Sequence, residues 1–580
     1  MDSLLAEILS QRPADVGSAV DRSLEDWAER ARTWGPPMQH DAHLLRRWAD
    51  VSERVWVTYG HHRGPRIIGD VLAHVPLPPG PGSGVRAALA VFADISLARV
   101  SPPELTDEVI RGVVDHALAD ADSALEAERY QDSLRALAAA MAVLFHRALH
   151  AEVPRSPLVD DPATFLGSLR TSRSFRALVD RTTTAERAPA NEDEGVAPVD
   201  EEASPPVVTA VGAPPRVLVA TGVYGSFHGA VAEALSGAAE VRVRDFAADL
   251  TPLSRRSMSP QALLELAGLI GGHEASPRFG TRHLAPAVAA RASEMRAELE
   301  WAQVVFSDWA DRATVWLSHL CPPQTRLIVR VHALDAFDPW FHLVRWDRVE
   351  QVVVVSEPMR SLVRDLLAGA GAQVPVVVLG NVTGLPAMAR PKRPGARTTL
   401  GLVGWGRVVK DPLWALELLR REPTWSLVLV GKPPPQPLPV AAEYTAALRT
   451  ALEDKHLAGR VRITGHVDDV AETLRDVGVI LSTSLRETWH LGLIEGVASG
   501  AVPVVRNWPL LAHRGGPRAL FPAPWVVDDL DAAEARIRRV TDPARWEEER
   551  LRAQAEVRAL FDPEALGASY RRLILKKETP

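Results

Sequence analysis

Hydrophobic positions give the chain three textures. Across residues 1–185 they recur at helical spacing, as in Leu4, Leu5, Ile8 and Leu9, and again through Leu134, Leu137, Met141, Leu144, Phe145 and Leu149. Pro and Gly interrupt this pattern at Gly35-Pro-Pro37 and between Val75 and Gly84, and the stretch Ala127–His150 has the small and large alternation of a helical hairpin. Across 186–214 the periodicity stops: Glu192-Asp-Glu194 and Asp200-Glu-Glu202 stand among Pro, Ala and Val, and such a segment cannot bury enough surface to offset the entropy of ordering it.

From 215 onward short apolar runs alternate with helical patterns. Strands are predicted at Arg216–Thr221, Glu240–Arg244, Gln303–Phe306, Arg326–Val331, Gln351–Val355 and Val374–Leu379. Residues 386–398, with Pro386, Pro391, Pro394 and Gly395 among basic residues, read as a hinge. A second series follows in 399–580, with strands at Thr399–Val403, Ser426–Val430, Arg460–Thr464, Val477–Thr483, Val502–Val505 and Trp525–Val527. Its helices fall near Pro412–Arg421, Val440–Glu453, Val470–Asp476, His490–Ser499, Asp531–Val540 and Trp546–Leu560, and a last one from Pro563 is placed to pack back across the hinge. Strands spaced by helices imply parallel sheets with right-handed crossovers. The expected fold is α/β: two Rossmann-like domains, 215–385 and 399–580, facing a cleft, preceded by an all-α domain, 1–185, that the linker sets apart as an independently folding unit.

Composition narrows the function. Apolar content of 46% and charge content of 24% are ordinary for a soluble globular protein, and a net charge of -7 gives no general attraction to nucleic acid or anionic membrane. The single cysteine, Cys321, excludes an intrachain disulfide framework and a cysteine-based zinc site. The N-terminus carries acids early and no signal-like apolar stretch, and the most apolar helical run, Ala136–Phe145, is half the roughly twenty residues needed to span a bilayer. The expected location is the cytoplasm, free or peripheral at the inner face of a membrane.

Two features in the helical half invite a metal reading and are better explained otherwise. Asp120-Ala-Asp122 sits among acids and alanines and reads as a solvated helix face, and His61-His62 lacks a partner at helical spacing. The chemistry concentrates in the stretch Gly478–Val505, a strand, a polar turn, a short helix and a second strand. Glu487 lies in the turn and Glu495 within the helix it opens. In open α/β sheets ligands bind beyond the carboxyl ends of strands, where helix amides point at anions. Two carboxylates around such a helix start suit a ligand with phosphate for the helix and vicinal hydroxyls for the acids, as in a nucleotide sugar. Upstream, Gly404-Trp-Gly406-Arg407-Val-Val-Lys410 ends another strand: glycines admit close approach and Arg407 and Lys410 offer cations to a leaving group whose charge grows.

The order of these motifs resembles the donor domain of retaining GT-B glycosyltransferases of family 4. The likeness rests on Gly406-Arg407 with Lys410, Leu429-Val-Gly431, Gly465 and the residues around it, Ser482-Thr-Ser484, Glu487 with Glu495, and Gly500-Ala-Val-Pro503. It extends more loosely to Val331-His332, Val354-Val-Ser356 and Leu379-Gly-Asn381, and not to residues 1–185. The resemblance implies that Glu487 contacts the hydroxyls of the transferred sugar, that Glu495 holds the ribose diol, that Arg407 and Lys410 meet the diphosphate, and that His332 faces the donor sugar across the cleft. Gly404, Gly406, Gly431, Trp489, His490 and Leu491 complete the implied donor site, and Gly225 and Asp335 fall in acceptor-side loops. It further implies retention without a covalent glycosyl-enzyme, no metal or other cofactor, and a carbohydrate or glycoconjugate acceptor of the kind found in bacterial surface polysaccharide synthesis. The helical domain is a candidate for oligomerisation, membrane contact or acceptor recognition. Other readings on the same fold are an assembly protein that has lost catalysis and a nucleotide-sugar epimerase.

The chain departs from the family pattern in three places. Arg407 and Lys410 are three residues apart where a longer loop is usual, Thr488-Trp-His490 replaces Gly-Phe-Gly, and Asn507-Trp508-Pro509 stands in place of a glycine-rich turn.

Overall fold

The computed structural model describes residues 83–96, 107–150, 153–179, 213–222, 227–248, 258, 260–273, 286–382, 384–434 and 441–576. His61-His62, Gly225 and all but the last two residues of the 186–214 linker lie outside them.

The helical region contains α1 (Ser83–Ser96), α2 (Asp107–Glu126), α3 (Tyr130–Leu144), several short turns between Arg147 and Thr171, and α4 (Arg173–Val179). The hairpin is formed by α2 and α3 around the turn at Ala127–Arg129, so it starts earlier than the alternation in Ala127–His150 suggested. Asp120 and Asp122 are not a solvated face. The amides of Gly84 and Val85 donate to Asp120 at 2.7 and 3.3 Å, and the amides of Arg173 and Ser174 with the Ser172 hydroxyl donate to Asp122 at 3.1, 2.8 and 2.8 Å. Each acid satisfies the orphan amides that open another helix, α1 or α4, so the pair fixes the region's packing.

The first sheet is six-stranded and parallel: β1 (Arg216–Ala220), β2 (Glu240–Arg244), β3 (Val304–Ser307), β4 (Arg326–Val331), β5 (Val349–Val354) and β6 (Val376–Val378), in the order β2-β1-β3-β4-β5-β6. Between its strands run α5 (His228–Leu235), α6 (Pro260–His273) and α7 (Glu357–Gly369), among others. Strand β3 is buried at every position, as expected of a parallel strand covered on both faces, whereas edge strand β2 alternates Glu and Arg with Val.

The second sheet is also six-stranded and parallel: β7 (Thr399–Val403), β8 (Ser426–Val430), β9 (Val461–Gly465), β10 (Val479–Ser482), β11 (Val502–Arg506) and β12 (Val526–Val527), in the order β12-β11-β10-β7-β8-β9. Its helices include α8 (Pro412–Arg421), α9 (Leu491–Ala498) and α10 (Trp546–Leu560); a last helix, α11 (Pro563–Leu575), leaves this lobe. This is the expected α/β arrangement of two Rossmann-like lobes, called the acceptor lobe on the first sheet and the donor lobe on the second after the roles that the sequence resemblance implies. The strand order reverses between β1 and β3 in one sheet and between β7 and β10 in the other, and those two crevices are where such sheets bind ligands.

One contact modifies the expected domain plan, and a second, the return of the last helix across the hinge, follows it. The helical region shares one buried core with the acceptor lobe, running from Leu137 and Phe145 through Leu263 on α6 to Val329 and Trp340, and Phe145 stacks on His342 at 4.8 Å. The two were expected to fold independently; a common core joins them. Helix α11 packs on the acceptor lobe, with Tyr570 and Ile574 buried beside Val219, Phe306 and Val353. The hinge is stitched to the donor lobe, since Arg390 and Arg393 pair with Asp469, Glu472 and Asp476 while Lys392 donates to the Leu474 carbonyl at 2.8 Å. No helix among the described residues is long and apolar enough to cross a membrane.

Candidate functional site

The donor-lobe crevice is built from the loops after β7 and β10. Gly404 leaves β7 with positive φ, Trp405 turns into the lobe and donates its indole N–H to the Gly431 carbonyl at 3.0 Å, and Gly431 itself has a φ of 121°. At Gly406 a Cβ would stand 2.2 Å from the Lys432 carbonyl, so only glycine lets the two loops cross there. Arg407 follows, exposed, and Val408–Lys410 forms a 3-10 turn that carries the Lys410 side chain inward.

Lys410 Nζ donates to the Glu487 carboxylate, which also accepts from the Ser484 hydroxyl at 3.1 Å. Hydrogen bonds lace the supporting loops together: the Leu485 amide donates to the Val409 carbonyl at 2.9 Å, and Thr483 Oγ1 donates to the Lys410 carbonyl. Asp411, in the left-handed region at φ 43°, is held by Arg506 at 2.6 Å and by the Tyr444 hydroxyl at 2.8 Å. Burial alone would raise the Glu487 carboxyl; the Lys410 charge overrides it and holds it at about 2. The pair is partly open, at 15% and 16% side-chain exposure, so a ligand can reach both partners.

His490 closes the turn at φ 58°, a conformation costing a non-glycine residue on the order of 1 kcal/mol or more. Its Nδ1 lies 2.6 Å from Ser482 Oγ, which accepts the Trp508 indole N–H at 3.0 Å. The Ser482 hydroxyl has two acceptor lone pairs, so it can accept the indole N–H and still either donate to Nδ1 or accept from it; the ring's other nitrogen is Nε2. That Nε2 is buried with no partner among the described residues. Burial, reinforced by Lys410, pushes the imidazole down to about 3, so His490 is neutral. Leu491 begins α9, and Glu495 sits one turn further along, half-buried, with burial pushing its carboxyl up to about 7.

The acceptor-lobe crevice is built from the ends of β1, β3 and β4. The His332 ring is stacked between Trp309, at 4.0 Å, and Phe227, at 5.4 Å, with Nε2 3.4 Å from Asp308. Asp308 is paired with Arg330 in a fully buried network that ends at the Tyr570 hydroxyl of α11, 3.0 Å from Arg330 Nη1. Burial would raise the Asp308 carboxyl, and Arg330 instead holds it below the usual carboxylate range.

Two residues expected to meet ligand are placed otherwise. Asp335 is fully buried and accepts the amides of His332 and Ala310 at 2.8 and 3.2 Å, so it braces the His332 loop rather than presenting a carboxylate to an acceptor. Trp489 turns into an apolar cluster against Phe561, at 4.7 Å, and Gly380 of the acceptor lobe, where a Cβ would meet the indole ring at 1.8 Å. It joins the lobes instead of lining the donor pocket. Lys410, Glu487 and His490 do come together, with Glu495 on the following helix and Arg407 at the rim. Arg486, which the motif reading passed over, lies 5.6 Å above the Phe337 ring and spans the cleft from the residue next to Glu487 to the loop after His332. Its only sequence signal was that adjacency. Arg506, Ser482 and Trp508 had none, because their roles depend on loops far apart in sequence. Among the described residues no group of three or more His, Cys, Asp or Glu is placed to hold a metal ion.

With this geometry in place, comparison with known proteins is informative for the donor lobe. Residues 405–540, which span both loops of the crevice, match the family model described as glycosyl transferases group 1. No curated protein matches the chain. Among solved structures it is similar to HepE of Anabaena in complex with UDP, at 13% identity and a TM-score of 0.45, covering 62% of this chain and 98% of that one. It is similar also to sucrose-phosphate synthase from Thermosynechococcus elongatus, at 15% identity and a TM-score of 0.45, covering 62% and 98%. A glycosyltransferase from Rickettsia africae gives 13% identity and a TM-score of 0.45, covering 63% and 100%.

Proposed function

We propose that the chain is a retaining glycosyltransferase of family 4 that moves a sugar from a nucleoside diphosphate to an acceptor hydroxyl on a carbohydrate or glycoconjugate. The observation that carries this is the partly open Lys410–Glu487 pair before the start of α9, in the reversal crevice of the second sheet and within the segment that matches the glycosyl transferase model. In this reading Lys410, with Arg407 at the rim and the first amides of α9, faces the diphosphate, where negative charge grows as the glycosidic bond opens. Glu487 is ionised throughout the physiological range and accepts hydroxyls of the transferred sugar, while Glu495 takes the ribose diol. The acceptor hydroxyl attacks the oxocarbenium-like carbon from the face the phosphate is leaving, and the phosphate takes its proton; no carboxylate forms a glycosyl bond, unlike the retaining hydrolase scheme. His332, clamped between two aromatic rings, forms the opposite wall.

The test is incubation with UDP-, GDP- and other nucleotide sugars, with and without candidate glycans, read by mass spectrometry. Transfer, or slow donor hydrolysis, with loss of both in Glu495→Ala and Lys410→Ala, is the expected result, and it is expected to persist in chelator because the diphosphate is met by side chains and helix amides. A rearranged sugar without transfer would assign an epimerase. Absence of binding to every donor would leave an assembly protein.

A further inference from the structure

The departure at Asn507-Trp508-Pro509 opens a segment that touches all three parts of the molecule. At its start the Trp508 indole holds Ser482 Oγ, the same oxygen that lies against His490 Nδ1. Two residues on, the Leu510 amide donates to the Leu485 carbonyl at 3.1 Å, immediately before Arg486 and Glu487. Leu510 and Leu511 are buried in the common core of the helical region and acceptor lobe, although the chain here belongs to the donor lobe. At its far end lies Arg514, with a side chain only 7% exposed. Its Nε and Nη2 donate to the Val159 carbonyl of the helical region at 2.9 and 2.6 Å, and its Nη1 donates to Ser361 Oγ at 2.9 Å and to Asp365 at 2.6 Å on α7. His513 adds a contact of 3.7 Å with Asp160.

Pro509–Arg514 is a continuous 3-10 run that joins its two anchors. The anchor at Arg514 uses charge-assisted bonds from a guanidinium that is itself largely buried, with Asp365 as its half-exposed partner. A displacement at Val159 or α7 would reach Leu510 and Trp508 along this run, and through their contacts both ends of the turn 485–490.

We infer that the helical region is part of the donor-site apparatus: its docking through Arg514 sets the position of Trp508–Leu511, and with it the turn that carries Arg486, Glu487 and His490. Arg514 and Trp508 are positioning residues in this scheme. The inference rests on reading that turn as the nucleotide-sugar site.

The test compares the full chain with its Arg514→Ala variant by hydrogen exchange and by calorimetric titration with UDP and GDP. Amides of 485–495 should exchange about tenfold faster in the variant, and whichever diphosphate binds the parent chain should bind about tenfold more weakly. An Arg518→Ala control, which removes an exposed pair with Asp528 on the next turn, should change neither. Faster exchange around 157–160 with 485–495 unaltered would overturn the coupling, because Arg514 would then be a local staple. Should Arg514→Ala fail to fold, Asp365→Ala removes one half-exposed partner of the same guanidinium, and both readouts apply with a smaller change. Failure of UDP and GDP to bind the parent chain counts against the nucleotide-sugar reading alone; exchange still decides the coupling.

Discussion

The two reversal crevices carry the same three kinds of residue in opposite states. In the donor lobe, Lys410 pairs with Glu487 beside His490; in the acceptor lobe, Arg330 pairs with Asp308 beside His332. The donor pair is open at 15% and 16% exposure, whereas the acceptor pair is sealed at 1% and 0%. An open pair can exchange its internal bond for bonds to a ligand. A sealed pair can only be broken. The first arrangement suits chemistry and the second suits holding an aromatic-clamped histidine still, although a motif search would rank them alike.

The comparison is broken most severely by Asp308→Ala, which strands the Arg330 charge in the core and should cost about 3–5 kcal/mol in chemical denaturation, or prevent folding. Replacing both members with apolar residues should recover most of that loss. Lys410→Met tests the open pair: the Glu487 carboxylate it leaves can still draw water, so stability should fall by less than in Asp308→Ala, by about 1–3 kcal/mol, while the initial transfer rate falls about 10²–10³-fold. Equal losses of stability in the two variants would erase the distinction.

A third test concerns the seam between the lobes. Gly380→Ala pushes a methyl into the Trp489 ring and should destabilise by about 1–3 kcal/mol, with Trp489→Leu in the same chain restoring the melting temperature. The fourth is the pH dependence of the two glutamates. Glu487 lies below its ordinary value of 4.5, so its contribution is present above about 4.5 and lost as pH falls toward about 2. Glu495 lies above that value, so its contribution is full below 4.5 and lost as pH rises through about 7. Thermal unfolding of Glu495→Gln should therefore lack the decline that the parent chain shows over that upper window. The smallest effect is expected for Ser484→Ala, which removes one hydrogen bond to Glu487 and should weaken donor binding by about 1 kcal/mol, read as a KM change.

Sequence periodicity located the regular elements well where local signals were strong. Pro412–Arg421 and Trp546–Leu560 have their predicted bounds, because Pro opens the first and a run of glutamates the second. Strand ends shifted by a residue or two, as at Val461–Gly465 and Val304–Ser307, since strand ends depend on neighbours in the sheet. Within the site, Lys410, Glu487 and Glu495 were legible from strand-loop-helix order. Trp489 was not: an aromatic residue in a ligand turn reads as a pocket wall until the facing Gly380, more than a hundred positions away, is known to receive it. Asp335 misled for a related reason, since a carboxylate that receives backbone amides looks in sequence like one that receives a ligand, and Asp120, read as a solvated helix face, receives such amides too.

The crossing of α11 has a consequence for how the chain is made. Tyr570 accepts from Arg330 and donates to the Leu379 carbonyl at 3.3 Å, and with Ile574 it fills one face of the first sheet. During vectorial synthesis the acceptor lobe emerges from the ribosome well before those residues exist, so its sheet must wait, partly uncovered and with Arg330 lacking its phenol partner, while the whole donor lobe is translated. The lobe that is made first is finished last, and aggregation or chaperone capture should concentrate in that interval.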